Sequence, residues 1–352
     1  MISKELIIPP LLMNFVTTNK CTSSCVNCCF HCNPKRKDKL TSTEINDYIC
    51  KAIAAYPTIR IVVFSGGECF TLGTELNEIV SYASNKGLRT RVVTNAYWAT
   101  SFKTAYLKLK ELSDLGLNEV NISTGDEHQE WVPYDNVIYA ITASLKLGLE
   151  TVVNVEYSNI SKFKSQILFD DPCLKKYLYN RKFHIINGIW MPFKKSTKDK
   201  MLKEKELSID SNLFKEERCT NLFSSININA NHHMNACCGL PSEYIPYLKL
   251  GDSQKYSLKE LYENQFYDLL KIWLYAEGPR RILDYCMTER QLPILKTYNM
   301  HLCQICAEIF QDPENIAVIS KNYELLYANI ILKYSFVKSN SLVFIKEQNI
   351  EI

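Results

Sequence analysis

Three cysteines share one short stretch, Cys21-Thr-Ser-Ser-Cys25-Val-Asn-Cys28. Three thiolates on one loop can coordinate three irons of a 4Fe-4S cluster and leave the fourth iron open to an exogenous ligand. A zinc knuckle is the alternative, since zinc takes four protein ligands with paired spacing and Cys29 and Cys32 offer a competing Cys-x-x-Cys pair. A second set stands far along the chain: Cys219, Cys237, Cys238, Cys303 and Cys306. Four of these five would complete an auxiliary cluster, and adjacent cysteines do not easily both bind one cube, so one thiol should be left over. A zinc ribbon, with Cys219 and Cys237 facing Cys303-x-x-Cys306, is the structural alternative here. His232 and His233 sit beside this set and read as hairpin turn residues. Of the other cysteines, Cys50 and Cys173 are expected in the core, and Cys69 reads as a small side chain near the site. Cys286 has no assigned role.

Strands and helices must bring these groups together. From about residue 11 to 190, short β-branched runs alternate with longer segments of helical period, as βα units of a parallel sheet do. Six strands are expected: Leu11 to Thr17, Arg60 to Ser65, Arg89 to Thr94, Glu119 to Ser123, Thr151 to Tyr157 and Lys182 to Trp190. Thr41 with Glu44 reads as a capping box, and Gly87, Gly116 and Gly148 fall where helices should end. The fold class is therefore α/β: a partial (β/α)6 TIM-like barrel over residues 11–193, left open on one side for a large substrate. The cysteine triad follows the first strand, at the C-terminal mouth of this barrel. Residues 194–217, rich in Lys, Glu and Ser, read as a linker. Residues 218–320 are expected to form a small α+β auxiliary iron-sulfur domain, and residues 321–352 a C-terminal helix and tail. The auxiliary domain should contain a hairpin, Ile226 to Asn229 returning through His232 to Ala236, then a helix from Ser257 to Leu274; another helix spans Tyr323 to Ser335.

Bulk composition narrows the function classes. Among 352 residues, 46% are hydrophobic and 22% charged, which argues against disorder and coiled coil. A net charge of +3 gives no reason to expect nucleic acid, although Lys35, Arg36, Lys37 and Lys39 form a local basic run beside the first cysteines. No stretch is long and apolar enough to span a bilayer, and no signal peptide is evident, so a cytoplasmic protein without a membrane partner is expected. Fourteen cysteines in a reducing compartment argue for metal or redox chemistry, because disulfides would not persist there.

The triad, with Phe30 close behind, resembles the radical S-adenosylmethionine (SAM) superfamily. The resemblance implies that the open iron chelates the amine and carboxylate of SAM, and that one electron cleaves it to a 5′-deoxyadenosyl radical. Gly66-Gly67-Glu68 is similar to the family's glycine-rich motif for the methionyl amine, with glycines allowing close backbone approach and the carboxylate pairing with the ammonium. Read alone, it is a tight turn. By the same resemblance Asn95, Ser123 and Asp126 would contact SAM, although Ser and Asp are also ordinary helix N-caps. The second cysteine region resembles the twitch type of auxiliary domain, a shortened SPASM domain with one cluster.

Across nearly the whole chain the spacing resembles YydG-type peptide epimerases, RiPP maturases that convert L to D residues in a ribosomally made peptide. The shared features are Cys25-Val-Asn-Cys28-Cys29-Phe30-His-Cys32-Asn-Pro34, Phe64-Ser65-Gly66-Gly67-Glu68, Thr94-Asn95-Ala-Tyr-Trp98, Asp126-Glu127-His128, Cys237-Cys238, and Cys303-x-x-Cys306 before Phe310. The resemblance implies that Cys238 returns a hydrogen atom to the peptide, leaving Cys237 as cluster ligand. It implies as partners a precursor peptide, gripped by the barrel and the C-terminal region, and an electron donor such as flavodoxin or ferredoxin. One position departs: the family's active-site aspartate, four residues after the first auxiliary cysteine, is Phe223 here, and realignment from the vicinal pair gives Ser225. A thioether- or carbon-crosslinking maturase and a non-catalytic zinc-stapled peptide-binding protein stay open beside epimerisation.

Overall fold

Six parallel strands lie side by side in chain order: β1 (Leu12–Val16), β2 (Ile61–Ser65), β3 (Arg89–Thr94), β4 (Glu119–Thr124), β5 (Glu150–Tyr157) and β6 (Phe183–Ile189). All six fall within a residue or so of the stretches expected from β-branched runs. The computed structural model describes residues 6–158, 161–189, 218–293 and 300–347. The expected linker over 194–217, and Trp190, lie outside the described residues.

Helices α1 (Ser42–Ala55), α2 (Thr74–Asn85), α3 (Phe102–Asp114) and α5 (Tyr134–Lys146) cover the outer face, with a single turn α4 (Asp126–Gln129) just after β4 and a short α6 (Ser165–Asp170) after β5. The first helix shows why. Thr41 Oγ1 accepts from the Glu44 amide at 3.3 Å while Glu44 accepts from the Thr41 amide at 2.8 Å, the reciprocal cap that satisfies two orphan donors. Ile45, Tyr48, Ile49 and Ala52 then recur at the spacing of one helical face and are buried. Met13, Phe15, Val62, Phe64, Val92, Val120 and Ile122 point outward from the strands into this core with no more than 0% exposure. Each such side chain contributes about 1.5–3 kcal/mol by leaving water. The alternate strand positions, Asn14, Arg91, Asn121, Ser123 and Glu156 among them, face the concave side, since successive side chains on a strand point oppositely.

The C-terminal region does not break away from this sheet. A hairpin of β7 (Ser225–Ile228) and β8 (His233–Asn235) forms as expected, but β7 lies parallel to β1, with Leu12 opposite Ser225 and Asn14 opposite Asn227. The Asn14 amide donates to Asn227 Oδ1 at 2.7 Å across that pair. A further strand, β9 (Lys249–Asp252), pairs antiparallel with β8 and gives the order β6-β5-β4-β3-β2-β1-β7-β8-β9. The expected helix from Ser257 to Leu274 is two, α7 (Leu258–Asn264) and α8 (Leu269–Ala276), because Asp268 caps the second by accepting from the amides of Leu270 and Lys271. Helices α9 (Gly278–Glu289), α10 (Leu302–Gln311) and α11 (Pro313–Lys321) had no sequence expectation, and α12 (Tyr323–Glu347) runs well past Ser335.

Two cysteine expectations are corrected. Cys50 and Cys173 are exposed, not core. Cys50 follows Ile49 on α1 and is turned off its buried stripe, and Cys173 sits in the turn after α6. Cys69 and Cys286 are the fully buried ones, against the carbonyls of Val93 and Asn315. No disulfide joins the described cysteines. Among the described residues no helix is long and apolar enough to cross a membrane.

Candidate functional site

The Cys21–Cys28 loop leaves the end of β1 and is braced from several strands. The Cys21 amide donates to Asn33 O at 3.2 Å, and the Ser23 amide to Cys21 Sγ at 3.4 Å. Asn95, at the end of β3, donates from one amide to Thr22 Oγ1 and Ser23 Oγ, each at 3.1 Å, and toward Cys21 Sγ at 3.8 Å. Glu127, just beyond β4, accepts from the Asn27 amide at 3.0 Å and from Asn27 Nδ2 at 2.6 Å, while its carbonyl faces Cys25 Sγ at 3.8 Å. Glu156, near the end of β5, in turn accepts from the Glu127 amide and lies 2.8 Å from His128 Nδ1. Three strand ends thus hold one loop. From the far end of the chain, Tyr244 donates to the Cys28 carbonyl at 2.8 Å.

The thiols are close enough to act on each other. Burial pushes Cys21 up to about 11 and Cys25 higher still, with the neighbouring cysteine charges adding to the effect. Cys28 is drawn down to about 6 because the Cys32 thiol and amide both donate toward its sulfur. Three thiols on one loop, braced from three strand ends, fit a cluster with an open iron. Cys29 and Cys32 do not complete a single-ion site with it: among the described residues no group of three or more His, Cys, Asp or Glu is arranged to hold one metal ion.

The glycines of Gly66-Gly67-Glu68 serve this loop directly. The Gly67 amide donates to Thr18 O at 2.6 Å and the Glu68 amide to Lys20 O at 2.9 Å. A Cβ on Gly67 would stand 2.3 Å from Lys20 O, and one on Gly66 2.7 Å from Thr18 O. The close approach expected for a ligand is therefore made by the backbone leading into Cys21. Glu68 is fully buried and accepts from the Phe70 amide at 3.1 Å, the Asn95 amide at 2.8 Å and Thr94 Oγ1 at 2.9 Å. Burial nonetheless lifts its carboxyl to about 7. Its side chain ties the end of β2 to the end of β3. Ser123 sits partly exposed at the end of β4, while Asp126 accepts from the amides of Lys162 at 2.7 Å and Phe163 at 2.8 Å and so fixes the turn after β5.

Cys219, Cys237, Cys303 and Cys306 line one cavity of about 90 Å³, together with Gly239, Pro241, Leu274 and His301. Cys238 does not line it, and is solvent-accessible. Burial raises all of Cys237, Cys303 and Cys306, with Cys303 near 12, and Cys219 adds to each. Gly239 separates two of the thiols: a Cβ there would meet Cys303 Sγ at 3.3 Å and Cys237 Sγ at 3.4 Å. Four thiols lining one cavity match the ligand count of an iron-sulfur cube. Cys238 is accessible yet recessed, so surrounding protein raises its pKa while Arg91 of β3 opposes that. Phe223 is fully buried, with φ 61°, stacked on Phe266 at 4.3 Å and beside Tyr275. Ser225 lies buried in β7 and donates to Asn227 Oδ1. Neither position opens on the concave face as an acid. The bracing groups Glu156 and Tyr244 were not picked out from sequence, although a carboxylate at a barrel strand end is a general signal of function.

Comparison with known proteins agrees with this geometry. Residues 15–155 match the sequence model of the Radical SAM superfamily. The peptide biosynthesis protein YydG of Bacillus subtilis is 23% identical over 119 residues, which is 34% of this chain and 37% of that one. The PqqA peptide cyclase of Bradyrhizobium diazoefficiens is 34% identical over 116 residues, 32% of this chain and 28% of that one. The chain thus spans about a third of the length of these curated relatives. Among solved structures, native anSMEcpe with bound AdoMet and Cp18Cys peptide superposes with a TM-score of 0.52 at 13% identity, covering 94% of this chain and 100% of that one. That likeness shows the fold.

Proposed function

Because residues 15–155 of this chain are a radical SAM domain, which holds a 4Fe-4S cluster and SAM, we propose that it is a peptide-modifying enzyme that epimerises L residues of a ribosomally made peptide to D. Cys21, Cys25 and Cys28 would hold the first cluster, and Cys219, Cys237, Cys303 and Cys306 the auxiliary one. Bound, the first cluster and SAM would supply a 5′-deoxyadenosyl radical able to take a hydrogen atom from a peptide Cα. The observation that carries epimerisation is Cys238, the accessible thiol left outside the four-cysteine cavity. Its S–H gives one hydrogen atom to the opposite face of the peptide carbon. The sulfur then needs one electron and one proton before the next turnover. Asn95, Glu127 and Glu156 keep the cluster loop in register with the concave face on which that exchange takes place.

One of the relatives favours a second reading. The PqqA peptide cyclase is named for ring closure, and a crosslinking maturase would use the same radical without Cys238. The two separate in deuterated water with the candidate precursor peptide: epimerisation adds one deuterium at a Cα with no other mass change, and a crosslink removes two hydrogens. Cys238→Ala should abolish deuterium gain while 5′-deoxyadenosine is still released. Full-rate epimerisation by that variant would overturn the donor role. A zinc-stapled peptide-binding protein would release no 5′-deoxyadenosine after anaerobic reconstitution. Glu68, Asn95, Ser123, Asp126 and the Gly66-Gly67 backbone are proposed SAM contacts, tested by SAM affinity of Ser123→Ala and Asp126→Ala.

A further inference from the structure

The basic run beside the first cysteines has no part in the chemistry above, yet it shapes a broad recess of about 570 Å³ lined by Lys20, Lys35, Arg36, Lys37, Lys39 and Thr71, among others. Lys39 pairs with Glu75 at 2.5 Å and Arg36 with Asp38 at 2.6 Å. Lys20, Lys35 and Lys37 are exposed and, among the described residues, have no carboxylate partner. A chain whose net charge is only +3 thus gathers unpaired ammonium groups on one concave patch.

The patch is joined to the cluster loop through the backbone. Lys20 is bonded directly to Cys21, and the Cys21 amide donates to the carbonyl of Asn33, two residues before Lys35. No residue lining the recess comes from β4, β5, β6 or the region beyond residue 218, and it shares no lining residue with the four-cysteine cavity. A peptide to be modified must reach that concave face. An electron carrier need only bring its redox group near the cluster.

We infer that this recess is the docking site of an acidic one-electron carrier protein, which is oxidised by one electron as the cluster at Cys21, Cys25 and Cys28 is reduced by one. This rests on the radical SAM reading proposed above. Unpaired ammonium groups attract an acidic surface over a Debye length of roughly 8–10 Å and steer its encounter, an effect that salt suppresses. A point-charge field of this kind acts mainly on the association rate.

The test uses anaerobically reconstituted full-length protein and photoreduced flavodoxin, following cluster bleaching by stopped-flow absorbance. For the Lys20→Glu, Lys35→Glu, Lys37→Glu variant, reduction by flavodoxin should slow about tenfold and lose most of its salt dependence, as charge reversal at a steered interface does. Reduction by photoreduced 5-deazariboflavin, which needs no docking surface, should be unchanged. The Lys35→Glu, Lys37→Glu pair, remote from the Cys21 peptide bond, should show the same pattern more weakly. An unchanged flavodoxin rate and salt slope overturns the inference. So does equal slowing with both reductants, or charge reversal that weakens precursor-peptide affinity alone, which would assign the recess to an acidic peptide. Protein that takes up no iron fails the radical SAM reading itself, a separate result.

Discussion

Gly67 and Glu68 show how single residues set the first site. The Gly67 Cα stands so close to the Lys20 carbonyl that one methyl has no room. Gly67→Ala should therefore displace the backbone entering Cys21, destabilise the fold by about 1–3 kcal/mol as overpacking does, and lower iron content by about half on reconstitution. Gly239→Ala tests the other site in the same way, because its Cβ would press on Cys237 and Cys303. There the electron paramagnetic resonance signal of the proposed auxiliary cluster should weaken while that of the first cluster persists. For Glu68, burial raises the folded pKa to about 7 from an ordinary 4.5, so the folded state holds the proton more tightly. Its contribution is then complete below about pH 4.5 and is lost as pH rises through 7, a fall of about 3 kcal/mol at most. Glu68→Gln should flatten that part of the stability curve between pH 5 and 8, measured by urea unfolding against the parent. A variant with the parent's slope would show that another group causes it.

At the scale of elements, the first cysteine loop is a product of neighbouring strand ends. Asn95 ends β3, Glu127 follows β4 and Glu156 nears the end of β5, and each hands a hydrogen bond toward the loop or toward the next brace. A hydrogen bond to a charged group contributes about 1.5–3 kcal/mol. Glu156→Ala, which removes the acceptor from both the Glu127 amide and His128, should therefore destabilise the fold by about 1.5–3 kcal/mol, read by urea unfolding against the parent. Gly125 belongs to the same device. A Cβ there would collide with the Glu156 side chain at 1.7 Å, and its φ of 141° lies where glycine is favoured.

For the whole molecule, the pairing of β7 with β1 matters most. It makes the C-terminal region part of the sheet that carries the first cysteine loop, and Tyr244 links the two again at Cys28. A fragment ending at residue 193 would leave β1 as an open edge, a template for aggregation. Such a fragment should be recovered mainly as insoluble protein, while full-length chain stays soluble; a soluble, iron-binding fragment would contradict the pairing. The aromatic cluster of Phe223, Tyr262, Phe266, Tyr275 and Tyr334 seals the same junction, with Tyr334 of α12 donating to Leu6 O.

Sequence alone determined the six strands, the cap at Thr41, the hairpin at 225–235 and the two cysteine sets, because these follow from local period, turn chemistry and ligand spacing. It also gave the expectation that one thiol of the second set is left over, and the resemblance pointed to Cys238. Only tertiary structure decided what the Gly66-Gly67 backbone approaches and that Phe223 packs in an aromatic core. It alone joined β7 to β1 and brought Glu156 to the Cys25 loop. Those relations span long separations in the chain, and no residue's neighbours in sequence carry information about a partner two hundred positions away.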